Sequence, residues 1–192
     1  MNAMILQESS RGLDAFTAES SLLRRRILFL NEEVNADSCN RLIEYLLHLD
    51  MEEPGKEITL CINSPGGEVG SGLAVCDVMQ MIQSPIRTVC TGLAASMAAV
   101  IFSCGEKREM LPRSKVMIHE PRLSGSSGIK RAMELEQEAA QMVETRDVLA
   151  GILAENCGRS IEEVMEKIRG DFYMDLKAAE EFGIATGVCK KI

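Results

Sequence analysis

Short apolar runs alternate with amphipathic stretches along the first two thirds of this chain. Arg26-Ile-Leu-Phe-Leu30, Glu57-Ile-Thr-Leu-Cys-Ile62, Ile86-Arg-Thr-Val-Cys90 and Lys115–Ile118 have the length and side-chain type of strands. Between them, Asp37–Asp50, Val69–Ile82 and Ala95–Ser103 carry apolar residues at helical spacing, and Gln83-Ser-Pro85 ends the second of these. The order predicts repeated β/α units with short connections, hence right-handed crossovers and a largely parallel sheet whose carboxyl edge collects ligands. Ser64-Pro-Gly-Gly67 and Ser96 then fall on that edge, at strand-to-helix turns.

The last third reads differently. A helical stretch from about Ile129 to Glu155 is stopped by Asn156-Cys-Gly158, and a shorter helix follows over Ser160–Ile168. Met133, Leu135, Met142, Val148 and Ile152 lie among many glutamates on the long helix. They make either a solvated spine with one apolar stripe or a contact between subunits. Leu123-Ser-Gly-Ser-Ser-Gly128 reads as a loop too short to divide the chain, so residues 1–192 are expected to form one domain.

Composition narrows the classes. A chain of 192 residues with 46% hydrophobic content is long enough to bury a substantial core. A net charge of −8 argues against nucleic acid as a partner, since Arg24-Arg-Arg26 is too short to overrule it. No apolar segment is long enough to span a bilayer, and Met1–Glu8 lacks the pattern of an export signal. Seven dispersed cysteines without a C-x-x-C pair fit reduced, buried thiols in a cytoplasmic protein, and no metal or cofactor is expected.

Candidate chemistry centres on Ser96, set among small residues in Gly92-Leu-Ala-Ala-Ser-Met-Ala-Ala99. A serine with so little bulk around it is open to a substrate backbone, and the first N–H groups of the following helix can meet developing negative charge. Only two histidines are present. His48 lies within an amphipathic helix, whereas His119 ends a strand, so His119 is the better partner for deprotonating Ser96. The ring needs an orienting acid, for which Asp171 and Asp175 are candidates. Asp175 precedes Leu176-Lys-Ala-Ala-Glu-Glu and suits a helix N-cap, which leaves Asp171 as the better choice. Ile62-Asn-Ser-Pro-Gly-Gly67 ends a strand in two glycines, either an ordinary turn or one half of an oxyanion hole.

These segments together resemble the Clp protease family, the ClpP-type serine peptidases of crotonase-like fold. The resemblance begins at Gln7-Glu-Ser-Ser-Arg-Gly12, passes through Ile62–Gly67, Gly92–Met97 and Val116-Met-Ile-His-Glu-Pro121, and closes with Ala178-Ala-Glu-Glu-Phe-Gly183. It implies Ser96 as nucleophile, His119 as general base, Asp171 as orienting acid, and the N–H groups of Gly67 and Met97 as oxyanion donors. It further implies peptide binding along Gly66, Pro121 and Gly125, an N-terminal axial segment over residues 1–20, a head, and a protruding handle over about residues 120–158. Family members stack heptameric rings and receive unfolded polypeptides from an AAA+ unfoldase of the ClpX, ClpA or ClpC type. ATP is used by that partner, and nothing in this chain resembles a P-loop.

The chain also departs from the family pattern. Glu120 stands where Gln is usual and is expected to raise the pKa of His119 and move activity to higher pH. Gly170 replaces an arginine used in ring-to-ring contacts, and extra residues separate His119 from Asp171. Thr59, Cys61 and Met81 replace aromatic residues that receive the ATPase loop, predicting altered docking. These departures leave open a latent subunit that needs a paralogue in mixed rings. A crotonase-type acyl-CoA enzyme is a further alternative, which would not require Ser96 and His119 together.

Overall fold

The computed structural model describes residues 4–9, 12–122 and 131–192, so the Leu123–Gly128 loop and Gly125 lie outside the described residues. The elements run β1 Met4–Ser9, β2 Gly12–Thr17, α1 Ala18–Leu23, β3 Ile27–Leu30, α2 Ala36–Glu52, β4 Ile58–Ser64, α3 Val69–Met81 and β5 Ile86–Ala95. There follow α4 Met97–Ser103, β6 Lys107–Met110, β7 Lys115–Ile118, α5 Ala132–Cys157, α6 Ile161–Lys167, β8 Phe172–Met174, α7 Leu176–Phe182 and β9 Gly187–Val188. The architecture is mixed α/β, as expected. Strands β3, β4, β5, β6 and β9 pair in that order and all in parallel.

Strand β5 is the organising element, and it is longer than the expected Ile86–Cys90. Its first half, Arg87–Cys90, pairs with β6, while its second half, Leu93–Ala95, pairs with β7. The chain continues extended through Gly92-Leu-Ala-Ala95 because β4 and β7 supply ladder partners on both sides, and the Leu93 N–H also donates to Asn63 Oδ1 at 3.0 Å. Tertiary pairing thus overrides the helix propensity of the alanines. Helix α4 therefore starts at Met97 rather than at Ala95.

Amphipathicity accounts for the packing. Helix α2 turns Cys39, Leu42, Leu46 and Leu49 into the main core, each leucine contributing about 1.5–3 kcal/mol. Every residue of α4 is buried, so this short helix is the centre of the core. The opposite sheet face holds a small cluster of Cys61, Val89 and Cys189. Helix α5 is buried at its C-terminal end, at Leu149, Ala150, Leu153, Ala154 and Cys157, and exposes Met133, Leu135, Val143 and Val148. Gly158 ends it in the left-handed conformation. No helix among the described residues is long and apolar enough to cross a membrane.

Several elements lacked a periodic signal. Strand β6 reads Lys-Arg-Glu-Met and exists because β5 and β9 flank it. The β1–β2 hairpin pairs only with itself and leaves Met4, Ile5 and Leu6 exposed.

One buried cation ties three connections together. Arg26, at φ 61°, is 5% exposed, and its guanidinium donates to Leu49 O (2.8 Å), Lys56 O (2.9 Å), Glu57 O (3.2 Å) and Ser84 Oγ (3.1 Å). It thereby joins the end of α2, the loop into β4 and the turn before β5. Replacing it by methionine removes the donors to Lys56 O, Glu57 O and Ser84 Oγ and leaves Leu49 O only its bond from Glu53 N–H, so Arg26→Met is expected to lose about 3 kcal/mol of stability, read from the urea midpoint.

Candidate active site

Strand registers bring the site together before any side chain is considered. Ala95 of β5 lies opposite Met117 of β7, so the residues that follow, Ser96 and His119, emerge from neighbouring parallel strands at the same edge. On the other side of β7, Ile118 lies opposite Phe172 of the antiparallel β8, which sets Asp171 beside His119. Three positions far apart in sequence meet at one end of adjacent strands.

Ser96 occupies a sharp strand-to-helix turn with φ 55° and ψ −126°, a conformation that L residues rarely adopt. The turn is held by the Ser96 N–H donating to Met117 O at 2.8 Å and by Ser96 O accepting from Ala99 N–H at 2.9 Å. The Ser96 Oγ stands 2.8 Å from His119 Nε2. If the hydroxyl donates to Nε2, the ring proton must be on Nδ1.

Gly66 and Gly67 sit against this turn. At φ 91°, Gly66 leaves no room for a side chain: a Cβ there would lie 2.5 Å from Ala95 O, 2.7 Å from Ser96 Cβ and 3.0 Å from Met97 N. Gly67, at φ 149°, pairs as a parallel bridge with Val34, where Val34 N–H donates to Gly66 O and Glu68 N–H donates to Val34 O. That pairing makes no use of the Gly67 N–H. The Met97 N–H belongs to the first turn of α4 and lacks an intrahelical acceptor, and its side chain is packed on Gly72, where a Cβ would approach Met97 Cγ to 2.3 Å.

Asp171, the expected orienting acid, stands farther from its partner. Asp171 Oδ1 is 3.5 Å from His119 Nδ1, and Nδ1 is buried with no hydrogen-bond partner among the described residues. The same Oδ1 accepts from the Arg122 guanidinium. Asp171 is also not the buried carboxylate favoured for an orienting acid, its side chain being 39% exposed. Magnitudes show the imbalance: an exposed ion pair is worth about 0–1 kcal/mol, whereas a buried N–H without an acceptor costs about 1–3 kcal/mol.

Glu120 does not govern His119 in the way its charge suggested. Burial of the ring lowers the His119 pKa most, the Arg122 cation lowers it further, and the opposing pulls of Asp171 and Glu120 are smaller. The net shift is downward, which corrects the expectation of a raised value. His48 is remote from this site, exposed on α2, with Nε2 3.6 Å from Glu52. Asp175 caps α7, accepting from Ala178 N–H at 2.9 Å.

A narrow cleft beside Ser96 and His119 has a cavity of about 20 Å³, room for roughly one water. Pro121 lines it together with Val69, Val100, Leu149, Leu153 and Ile168, apolar side chains that the sequence analysis did not single out. Of the positions expected to affect partner docking, Cys61 is 1% exposed and Thr59 is buried beside it, while Met81 stands 68% exposed at the end of α3. Gly170 is exposed. Burial pushes the Cys61 and Cys157 thiols up to about 11, well away from thiolate chemistry. Among the described residues no group of three or more His, Cys, Asp or Glu could hold a metal ion.

The Clp protease family model matches residues 10–191. The chain belongs to the Clp protease family. It is 42% identical to the ATP-dependent Clp protease proteolytic subunit 1 of Prochlorococcus marinus (strain NATL2A), over all of this chain and 97% of that protein. It is 40% identical to the ATP-dependent Clp protease proteolytic subunit 1 of Synechococcus sp. (strain CC9902), over all of this chain and 96% of that protein. Membership makes the chain a peptidase, and the contact between Ser96 and His119 lies within the matched segment.

Two outcomes follow from the geometry. An imidazole NMR titration is expected to place the His119 midpoint below the ordinary 6.5. Gly66→Ala, which drives a Cβ into the Ser96 turn, is expected to cost about 2–4 kcal/mol on chemical denaturation.

Proposed function

We propose that this Clp family member is a serine endopeptidase subunit that cleaves peptide bonds of unfolded polypeptides. Ser96 Oγ attacks the scissile carbonyl, and His119 Nε2 accepts its proton and returns it to the leaving amine. Asp171 orients the ring by accepting from Nδ1–H. The N–H groups of Gly67 and Met97 receive the oxyanion of the tetrahedral intermediate. The substrate lies extended along Gly66, Pro121 and the segment containing Gly125, so recognition rests on main chain more than side chain. The single observation carrying this reading is the 2.8 Å contact between Ser96 Oγ and His119 Nε2 on a strained turn.

The family implies the setting. Heptameric rings joined through α5 as the handle enclose the sites in the cytoplasm, and residues 1–20 line the axial entrance. An AAA+ unfoldase of the ClpX, ClpA or ClpC type feeds the chamber. The exposed apolar residues Met133, Leu135, Val143 and Val148 on α5 support its use as a contact between subunits. A second reading, a latent subunit activated by a paralogue in mixed rings, is favoured by the engagement of Asp171 by Arg122 rather than by His119.

Fluorophosphonate labelling tests the nucleophile. The parent is expected to label, Ser96→Ala not at all, and His119→Ala at least about a hundredfold more slowly. Equal labelling of Ser96→Ala would overturn the assignment. Because the general base must be neutral, a lowered His119 pKa puts the acid limb of the kcat/KM profile below 6.5, which a pH–rate profile on a fluorogenic peptide checks.

A further inference from the structure

We infer that Arg122 is a positioning residue that holds the Asp171 carboxylate off His119, so that the carboxylate must shift from Arg122 toward the His119 ring for the site to turn over. This rests on Asp171 acting as the orienting acid of a Ser96–His119 pair. The observation is that the carboxylate engages the exposed cation and stops short of the buried ring. Oδ1 accepts from the Arg122 guanidinium while standing 3.5 Å from His119 Nδ1, and Nδ1 is left buried without an acceptor among the described residues.

The competition is reversible because the two partners differ in burial. The Arg122 side chain is 65% exposed, so water takes the place of the carboxylate when it lets go, whereas the His119 side chain is 12% exposed and has far less access to water. Attack by Ser96 makes the ring an imidazolium, and at that moment an acceptor at Nδ1 is worth most. Arg122 opposes that step twice, by holding the carboxylate 3.5 Å from Nδ1 and by setting a cation near the forming charge. The charged groups facing His119 are Arg122 and Glu120 on its own segment and Asp171 from the segment leading into β8. Helices α4 and α5 present only Ser96 and apolar side chains to the cleft. Among the described residues Arg122 is the cation that contacts this carboxylate.

The full-length protein, in its native assembly, is compared with Arg122→Gln, Arg122→Lys and Asp171→Ala on a fluorogenic peptide. Arg122→Gln is expected to raise kcat about three- to tenfold at pH 8 with KM unchanged, and to move the acid limb upward. Arg122→Lys keeps the charge without the fork, so it raises kcat less and leaves the acid limb near that of the parent. Added salt screens the exposed pair, so it raises kcat of the parent but not of Arg122→Gln. In Asp171→Ala the substitution at 122 has no further effect on kcat. A lower kcat in Arg122→Gln, a change confined to KM, an unmoved acid limb, or the same gain in the Asp171→Ala background would each overturn the role of Arg122. Ser96→Ala separates the two levels: residual activity there defeats the serine mechanism itself, whereas its complete loss beside an unresponsive Arg122→Gln defeats only the shift of the carboxylate.

Discussion

The close approach of two strand-to-helix turns is the constraint on which the site depends. The turn after β4 and the turn after β5 touch where Gly66 meets Ala95, Ser96 and Met97, at distances that exclude any side chain at residue 66. That contact, with the Ser96 N–H anchored on Met117 O, holds Ser96 in a conformation it would not adopt alone. A fully buried α4 behind it keeps the turn from relaxing. Rigidity at this point is what aims the hydroxyl at His119, since a pre-set geometry removes ordering that would otherwise oppose each turnover.

Electrostatics at the site follow from burial more than from the charges counted along the chain. His119 has carboxylates on either side and still favours its neutral form, because a ring largely out of water resists charge and Arg122 adds to that resistance. A neutral imidazole suits a general base, and its cost is borne by the unsatisfied Nδ1. The site thus pairs a ring that favours its neutral form with a carboxylate engaged by Arg122.

Much of this was legible in the residues. The alternation of strands and helices carried through to the parallel sheet, Asp175 caps α7, and Gly158 ends α5. The pairing of Ser96 with His119 was reachable because a chain with two histidines offers few choices, and His48 sits on an amphipathic helix. Strands β6, β8 and β9 were not legible, since β6 is mostly charged, β8 and β9 are only three and two residues long, and all three form where neighbouring strands offer hydrogen bonds. The extension of β5 to Ala95 was hidden for a related reason: alanines read as helix until two flanking strands claim them.

Sequence by itself determined the order of elements, the apolar faces that form the core and the residue types able to carry acyl transfer, because each is encoded by neighbours a few positions apart. Tertiary structure alone decided the registers that set Ala95 beside Met117 and Ile118 beside Phe172, and with them the meeting of Ser96, His119 and Asp171. It also decided that Arg122, 49 positions from Asp171, holds that carboxylate, and that burial outweighs Glu120 at His119. Such outcomes depend on distance and solvent exposure, which no local pattern of residues specifies.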